Sequence, residues 1–549
     1  MISLSAEQKS IEGMFCQTTE TYIIPPYQRP YSWGNEQCYQ LYQDLMDAFE
    51  ENEPYFVGNV ILARNKKYDL TGESSVVDGQ QRLITIWNII KVLSMLMPEL
   101  NSLRSALYVE PWEGNENLPK IKSNIFENDD NKALEDMYAL DKETTERRLA
   151  ETTVGNSIVE TKCSSAIEYS LLLFYQLFTT DRKFQEQAGA LNQFAKYLMK
   201  KVSMLPIVQT ADEEKDAIGK ALTIFETINN RGMDLGDADI FKARLYESAY
   251  KKGEREDFVA QWVDFKSECN AQGYSIDDIF RFYSHIIRGN QKITSGEKKL
   301  REFFTNESFS PLLTMPYDRV LGELNKILSI LKYIKSEGRK TKGISPWLQI
   351  LKEYSNQYPI YAIVVYLYHY DVESDDQKVA FVTFLQSLAR YCLYSGATTS
   401  VKFGIYNIIR IVSFQNSIDT YQVENITADY FDHLGRLKNA YALLAYHLET
   451  KSEIPTKYSI DKIVNLRDEY LLGSDWQYEN LNDICNSIGN LVVLDIPKRY
   501  NSLKEKARYY KTSYNSYVVN AIKGTQFGYS DWVSRNRHFK NLLLSFFKK

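Results

Sequence analysis

The first part of the chain alternates segments whose hydrophobic spacing is typical of helices with segments typical of strands. Ser5 fits the N-cap of a helix over residues 6–15. The prolines of TYIIPPYQRPYSW, residues 21–33, forbid a regular helix and predict an extended segment. Hydrophobic spacing predicts a helix from about Glu36 to Phe49, and YFVGNVILARN, residues 55–65, has the composition of a strand.

The stretch SSVVDGQQRLITIWNII, residues 74–90, predicts a strand, a tight turn and a helix in direct succession. Asp78 ends the strand and is placed to cap the helix, and Gly79 permits a positive φ or a close backbone approach. The helix begins with Gln80, Gln81 and Arg82. Free N–H groups at a helix start favour an anion by roughly 0.3 to 2 kcal/mol, and a bond from the arginine adds roughly 1.5 to 3. The turn is therefore a candidate anion site, and the alternative is a capped helix with solvated glutamines.

The remainder of the chain completes an α+β architecture with a helical middle. Helical spacing dominates a charge-rich region at about 100–200, and KVSMLPIVQT, residues 201–210, returns to strand composition. Successive amphipathic helices follow as far as His447, before a last part that mixes short strands with a basic helix. We therefore predict three domains: 1–248, with a helical insertion at about 100–200, 249–448 and 449–549.

Composition restricts the class of protein. The chain has 549 residues, a net charge of −6 and six cysteines without a C-x-x-C pair. The acidic balance excludes a wholly basic nucleic-acid coat, so any contact with phosphates is local. The cysteine spacing indicates reduced thiols rather than a zinc knuckle or disulfide framework. The N-terminus does not resemble a secretory signal and the apolar stretch at 360–368 is too short to cross a bilayer, so we expect a cytoplasmic protein without membrane contact.

Two further segments carry polar groups of the same kind as the turn at residues 78–82. PPYQRPYSW places Gln28 and Arg29 among the rings of Tyr27, Tyr31 and Trp33, which predicts a groove with flat walls and hydrogen-bonding ends. FETINNRGMDL, residues 225–235, carries asparagines and an arginine before a glycine that fits a helix C-cap. Three arginine-bearing turns favour one polyanionic ligand, and the alternative is three unrelated surface turns.

Four segments of the first half together resemble a known family. IPPYQRPYSW, YFVGNVIL, VVDGQQRLITI and FETINNRGMDLGDADIFKARL are similar, in this order, to the N-terminal domain of GmrSD-type, modification-dependent (type IV) restriction enzymes. The resemblance covers approximately residues 1–250 and implies a ParB- and sulfiredoxin-like fold that binds and hydrolyses an NTP at its D-G-Q-Q-R motif. It implies catalytic roles for Asp78, Gln81 and Arg82. It implies nucleotide-binding roles for Tyr27, Gln28, Arg29, Gly79, Gln80, Asn229 and Arg231.

Three segments near the C-terminus resemble the HNH-like, ββα-metal nuclease domain of the same family. They are YSIDKIVN, SIGNLVVLD and RYNSLKEKARYYKTSYNSY. By this resemblance Asp461 occupies the position of the metal-binding carboxylate, while Lys462 replaces the histidine that activates water. Asn490 and Asn501 match later polar positions. Loss of a general base costs roughly 10²- to 10⁴-fold in rate, so we expect a degenerate nuclease site. A desolvated Lys462 acting as base, or a rearranged site using His433 or His447, stays an alternative.

The last of these segments also carries a basic helix with interleaved aromatic rings. Its cationic residues are Lys498, Arg499, Lys504, Lys506, Arg508 and Lys511. Its rings are Tyr500, Tyr509, Tyr510 and Tyr514. Basic side chains with stacking rings suit a nucleic-acid backbone, so we predict DNA binding here. The alternative is a solvated helix face whose tyrosines pack inward.

These observations lead to one expected function and two rivals. We expect an anti-phage defence protein of the restriction type that binds and hydrolyses an NTP, with Mg²⁺ or Mn²⁺ as candidate cofactor, and contacts DNA through its degenerate HNH-like domain. The first rival is a nucleotide-gated sensor of DNA or of a phage component, without catalysis. The second is a metal-dependent endonuclease with a non-histidine base. The candidate partners are DNA, including modified phage DNA, a nucleotide, a partner defence protein and a second copy of the chain.

Overall fold

The structure is a computed structural model, and it divides the chain into two units. It describes all 549 residues except 1–2, 17–19, 66–71, 110–116, 126–129, 213–216, 218–235, 337, 339, 355, 396–400, 419–420, 466–480, 497–501, 525 and 549. The first unit comprises residues 1–263 and 314–318, and the second comprises 264–313 and 319–549. Helices and sheets are both present, which confirms the predicted α+β class. The predicted division into three domains stays a prediction.

The first unit contains all but two of the described strands. The strands are β1 (Ser3–Ala6), β2 (Lys9–Ser10), β3 (Thr21–Ile24), β4 (Tyr55–Asn65), β5 (Glu73–Asp78), β6 (Tyr108–Val109), β7 (Leu118–Pro119), β8 (Ile121–Ser123), β9 (Thr153–Val154), β10 (Ser157–Ile158) and β11 (Val202–Ala211). The helices are α1 (Ile11–Phe15), α2 (Asn35–Glu51), α3 (Gln80–Leu96), α4 (Asn101–Ser105), α5 (Asp130–Ala139), α6 (Lys142–Thr152), α7 (Ala166–Thr180), α8 (Arg182–Glu186), α9 (Ala190–Lys201) and α10 (Asp237–Lys252).

Seven of these strands form one mixed sheet within the described residues. Its order is β1-β11-β4-β5-β3-β8, and β2 pairs with the beginning of β11. The pairs β11 with β4, β3 with β5 and β3 with β8 are parallel, whereas β4 with β5 and β1 with β11 are antiparallel. β5 therefore lies inside the sheet, between β4 and β3, and its carboxyl end leads directly into α3.

The helix α3 runs through the hydrophobic core of the first unit. Its sequence is apolar on every side, and nearly all of its residues from Gln80 to Leu93 are buried. A helix that is apolar all round is stable only when other elements surround it. Here α7 packs against it, and its rings and aliphatic side chains belong to the main core cluster. Because the rest of α3 is packed in this core, its first turn is held in a fixed position.

Most predicted elements of the first unit are confirmed. The exceptions are the N-terminus and the predicted helical insertion at about 100–200, which also contains short strands and contributes β8 to the main sheet. The predicted helix over 36–49 is α2, and the predicted strand over 55–65 is β4. The helix predicted over 6–15 begins only at Ile11, where Ser10 and not Ser5 accepts from the Gly13 N–H at 3.1 Å. Ser5 instead belongs to β1, which pairs with β11. Ser5 and Ser10 carry the same local signal for an N-cap. The pairing of β1 with β11, about two hundred residues further along the chain, places Ser5 in a strand and leaves the cap to Ser10.

The second half of the chain is mainly helical, as predicted. Its helices are α11 (Arg255–Gln272), α12 (Ile276–Asn290), α13 (Leu300–Asn306), α14 (Pro311–Thr314), α15 (Tyr317–Lys335), α16 (Ser345–Lys352), α17 (Tyr358–His369), α18 (Asp375–Ser395), α19 (Val401–Val412), α20 (Lys438–Thr450), α21 (Leu481–Asn486), α22 (Leu503–Tyr510), α23 (Ser516–Val519) and α24 (Tyr529–Lys548). Its strands are β12 (Ser459–Lys462) and β13 (Leu491–Leu494), which pair antiparallel.

The longest apolar stretch of the sequence lies in α17, whose residues from Ala362 to Leu367 are buried, as expected of a core helix. In the described part of the chain, no helix combines the length and the apolar character needed to cross a bilayer.

Candidate functional site

The end of β5 contains a bulge immediately before Asp78. Asp78 pairs with Ile61 while Val76 pairs with Leu62, so Val77 is an extra residue on this strand. A bulge leaves a strand carbonyl without its usual partner and turns the next side chain. The buried Gln28 amide donates to the Val77 carbonyl at 2.7 Å and thereby compensates for the lost pairing.

Gly79 makes the turn from β5 into α3, and the position admits only glycine. Its φ is +91°, a conformation that L side chains rarely adopt. A Cβ atom at this position would lie 2.9 Å from the Asn59 carbonyl oxygen. Within the described structure no side chain caps the start of α3, so Asp78 is not the N-cap that we predicted. The Gly79 N–H instead donates to the Asp78 carboxylate.

Arg82 lies one turn into α3 and faces back toward Asp78. Its Nη2 atom is 3.4 Å from Asp78 Oδ2, and the two side chains are 29% and 20% exposed. The guanidinium also lies against Gly58 of β4, where a Cβ atom would be 2.1 Å from Nη1. The absence of a side chain at residue 58 therefore makes room for Arg82. We call residues 78–82 the strand–helix corner.

Burial and charge act in opposite directions on Asp78. Burial raises the pKa of this carboxyl above its usual value, while Arg82, the Gly79 N–H and Arg29 each lower it. Arg29 is therefore close enough to act on the carboxylate, as the sequence predicted for a neighbour of the corner. Arg82 is in contact with the Asp78 carboxylate and Arg29 acts on it electrostatically, so the cations of the corner outnumber its carboxylate beside the positive end of a 17-residue helix.

Glutamine side chains bind the proline-rich segment to this corner. Gln80 Nε2 donates to the Arg29 carbonyl. Gln81 accepts from the Ser32 N–H at 2.8 Å and donates to the Pro30 carbonyl at 3.2 Å. Both side chains are buried. The Gln81 amide is thus fully engaged by the backbone of residues 30–32, whereas Gln80 Oε1 is buried without a hydrogen-bond partner in the described structure. The predicted roles of these glutamines at the ligand site stay predictions.

The aromatic rings of the proline-rich segment also lie deeper than predicted. Tyr27 is buried, and its ring packs on Tyr246 with centroids 5.3 Å apart. Tyr31 is buried as well, and its hydroxyl lies 2.7 Å from Thr85 Oγ1. These two rings anchor the segment to the core and do not wall an open groove. Only the partly exposed Trp33 remains for that role.

The third predicted contribution to the site, from Asn229 and Arg231, falls outside the described residues. The structure thus brings together two of the three arginine-bearing segments. The side chains that stay partly open to solvent at the corner are Asp78, Arg82 and Arg29. Their chemistry suits an anion, with one carboxylate available to orient water or a hydrated cation.

The predicted second site centres on Asp461 in β12, and its environment is closed. Lys506 Nζ lies 3.4 Å from Asp461 Oδ2, with the two side chains 1% and 2% exposed. The Tyr510 hydroxyl donates to the same oxygen at 2.8 Å. We call Asp461, Lys506 and Tyr510 the sealed cluster. A divalent cation needs carboxylate oxygens that it can reach, and here an ammonium and a phenol occupy them, so the residues present do not fit a metal at Asp461.

Polar side chains next to the sealed cluster form hydrogen bonds with neighbouring residues of the protein. Lys462 donates from Nζ to Asn486 Oδ1 at 3.0 Å. Asn490 is buried, accepts from the Val464 N–H at 2.8 Å and donates to the Val464 carbonyl at 2.9 Å. Asn501 lies outside the described residues. Within the described ranges, no group of three or more His, Cys, Asp or Glu side chains is placed to hold a metal ion.

The predicted DNA-binding residues separate into exposed and buried positions. Lys504, Arg508 and Lys511 are exposed, and their spacing of four and three residues places them on one side of α22. Lys506 is in the sealed cluster, so its predicted contact with DNA is wrong: its charge is neutralised inside the protein. Lys498 and Arg499 lie outside the described residues. We call Lys504, Arg508 and Lys511 the basic stripe.

Comparison with protein families supports the resemblance over the first unit. Residues 11–246 match the family model of the GmrSD restriction endonuclease, N-terminal domain. The matched range includes the whole strand–helix corner, Gly58 and the proline-rich segment. We refer to residues 11–246 as the GmrSD-like region. A search of curated proteins finds no match. The resemblance of the C-terminal segments to an HNH-like domain stays a prediction.

Gly58 is the residue of the GmrSD-like region that sequence reasoning missed. A glycine inside an otherwise hydrophobic strand often marks a bulge or the close approach of another group. Gly58 has a φ of +135° and makes room for Arg82. The signal was present in YFVGNV, but nothing local to that strand indicates which group approaches, because Arg82 is 24 residues further along the chain.

Proposed function

We propose that the GmrSD-like region binds a nucleoside triphosphate at the strand–helix corner and hydrolyses it, as part of a restriction-type defence protein. The observation that carries this proposal is the open ion pair of Asp78 and Arg82 at the start of α3. Backbone N–H groups at a helix start and a guanidinium bind phosphate oxygens well. The restriction role comes from the family match over residues 11–246. A ParB-like fold for this region belongs to the same proposal.

The residues of the corner divide the proposed chemistry among them. Arg82 and Arg29 bind phosphate oxygens, and the absence of a side chain at Gly58 leaves room for the Arg82 guanidinium. Asp78 orients the attacking water, and its pKa, raised by burial, makes it a better proton acceptor than an exposed aspartate. Gln28, Gln80 and Gln81 keep the segment that carries Arg29 against the corner. A Mg²⁺ or Mn²⁺ ion bound with the nucleotide would neutralise phosphate charge, and Asp78 is the carboxylate available to hold it.

We further propose that the C-terminal part contacts DNA through an HNH-like scaffold without cutting it. The order of β12, β13 and α22 gives two antiparallel strands followed by a helix, which supports a ββα arrangement. The Lys506 ammonium beside Asp461 weighs against metal-dependent cleavage. The basic stripe supplies exposed cations for phosphate contacts.

The corner is tested by nucleotide titration of the full chain with ATP and GTP by calorimetry. Arg82→Ala should weaken binding by about tenfold or more, because a charge-assisted hydrogen bond contributes about 1.5 to 3 kcal/mol. Arg104→Ala removes an exposed arginine at the end of α4 and is the matched control, with unchanged affinity expected. Equal affinity of the Arg82 variant and the wild type would reject the site.

Turnover and cleavage assays separate the proposed function from its rivals. Phosphate release with and without DNA, lost in Asp78→Asn, supports hydrolysis, whereas binding without release under any DNA condition favours the nucleotide-gated sensor. Plain and modified DNA with Mg²⁺ or Mn²⁺ should stay uncut. Cutting that disappears in Asp461→Ala would instead establish a metal-dependent nuclease with a different base.

A further inference from the structure

Tyr514 is an aromatic residue whose ring lies entirely in solvent. Its relative exposure is 104%, far above that of any other large hydrophobic side chain in the described structure. Keeping a phenol ring in water forgoes the free energy that burial of such a ring provides. The other tyrosines of the same segment behave differently, since Tyr510 is buried and Tyr509 is partly covered. The exposure of Tyr514 is thus specific to this position.

The turn that carries Tyr514 is fixed on both sides. On one side, the Ser513 hydroxyl donates to Asp495 Oδ1 at 2.6 Å and accepts from the Asn515 N–H at 2.9 Å. On the other, Asn515 Oδ1 accepts from the Tyr517 N–H at the start of α23, and Asn515 Nδ2 donates to the Tyr446 hydroxyl at 2.6 Å. The ring therefore projects from an anchored turn, which lowers the entropy lost when a planar group stacks on it.

Exposed cationic residues lie along the segment that precedes Tyr514. Lys511 lies three residues before Tyr514, and Lys504 and Arg508 continue the basic stripe along α22. A stripe of exposed cations that leads to an exposed ring is the combination that binds single-stranded nucleic acid, where phosphates need charge and each base needs a flat partner. An intact duplex presents its phosphates but hides the faces of its bases within the stack.

A cavity begins at the residues that follow Tyr514. Asn515, Ser516 and Tyr517 line it together with side chains of α24, and its volume is about 660 Å³. Arg535 lies on its wall, and the Nε atom of this residue is buried without a hydrogen-bond partner in the described structure. The Arg535 Nη2 atom donates to the Leu491 carbonyl at 3.2 Å and to the Tyr517 hydroxyl at 3.3 Å, which fixes this wall. A cavity of this size has room for a nucleobase.

We propose that Tyr514 is a base-stacking residue, and that this surface binds single-stranded DNA, or a duplex with an unpaired base, in preference to an intact duplex. The inference rests on the proposed DNA contact of the basic stripe and adds the form of DNA that is recognised. Tyr514 stacks on an unpaired base while the stripe holds the phosphates on one side of it. The adjoining cavity has the room to hold a neighbouring base.

The test is fluorescence anisotropy of the full chain with three labelled probes: a single strand, the matching duplex, and that duplex with one unpaired 2-aminopurine. Wild type should bind the single strand and the bulged duplex more tightly than the intact duplex. Tyr514→Ala should weaken binding of those two probes by about tenfold. Tyr514→Phe keeps the ring and should bind as wild type. The emission of 2-aminopurine, which responds to stacking, should change with wild type and not with Tyr514→Ala.

Phe414→Ala removes another exposed ring of the same unit, 58% exposed, and is the matched control, with unchanged binding of all probes. Replacement of Lys504 and Arg508 by alanine should weaken the binding of all three probes and make the affinity less dependent on salt concentration. If these charge changes weaken binding while Tyr514→Ala does not, the stacking role is overturned and the DNA contact stands. If wild type binds none of the probes, both are overturned.

Discussion

Two aspartate–cation pairs, one in each unit, have the same separation and opposite surroundings. Asp78 and Arg82 are 3.4 Å apart with side chains 20% and 29% exposed, and Asp461 and Lys506 are 3.4 Å apart with side chains 2% and 1% exposed. In both cases the carboxylate lies on a strand and the cation on a helix that follows it in the sequence. The open pair can exchange its internal partner for a ligand, whereas the closed pair holds elements of the fold together. Solvent access, and not distance, decides which function an ion pair supports.

The largest effect is expected when the closed pair loses its cation. Lys506→Ala leaves the Asp461 carboxylate buried beside Tyr510, and an uncompensated buried charge costs about 3 to 5 kcal/mol of unfolding free energy. Urea unfolding of the full chain measures this loss. Lys504→Ala, an exposed lysine on the same helix, is the control and should change stability by less than about 0.5 kcal/mol. If Lys506→Ala lowered the unfolding free energy as little as the control does, the pair of Asp461 and Lys506 would not stabilise the fold.

The second-largest effect is expected from a change in the backbone of the strand–helix corner. Gly79→Ala places a Cβ 2.9 Å from the Asn59 carbonyl oxygen at a φ of +91°. A strained residue of this kind costs about 1 to 3 kcal/mol, and the shift of the turn should also weaken nucleotide binding. Thermal unfolding and calorimetry on one preparation measure both effects. Gly155→Ala is a matched control, because Gly155 has a positive φ but nothing near its missing Cβ. Equal losses in the two variants would show that the close approach at Gly79 does not matter.

Removal of the cation of the open pair should cost little stability. Arg82→Ala takes away a partner at the same 3.4 Å distance as in the closed pair. Pairs that reach solvent contribute only about 0 to 1 kcal/mol, so the unfolding free energy should fall by no more than this, although nucleotide affinity falls sharply. Urea unfolding next to Lys506→Ala makes the comparison direct. A loss as large as that of Lys506→Ala would remove the distinction between the two pairs.

The smallest stability effect is expected at Asp78 itself. Since burial raises the pKa of this carboxyl above its usual value, the folded protein holds the proton more tightly than the unfolded chain does. Stability from this group is present at low pH and is lost as the pH rises through the raised pKa. Asp78→Asn should therefore leave the unfolding free energy at neutral pH within about 0.5 kcal/mol of wild type, or increase it. It should also remove this part of the pH dependence. Unfolding curves from acidic to neutral pH would contradict this if the variant were clearly less stable at neutral pH.

The sequence predicted the elements of both regions better than the exposure of their side chains. Local patterns suffice for β5, the turn at Gly79 and α3, because a strand, a glycine and a helix start are each encoded by neighbouring residues. Whether Gln81 faces a ligand or a backbone depends on residues 30–32, about fifty positions away. The same limit applies to Lys506, which has the spacing of a surface residue on a basic helix and is buried because Asp461 lies opposite.

The central claim, that the open pair binds a ligand and the closed pair does not, is tested most directly by hydrogen exchange of the full chain with and without saturating nucleotide. Amides in the first turn of α3, from Gln80 to Arg82, should exchange more slowly with nucleotide, because phosphate oxygens accept from N–H groups there. Peptides that contain Asp461 and Lys506 should be unchanged. Unaltered exchange at residues 80–82, or slowing confined to the sealed cluster, would contradict the account.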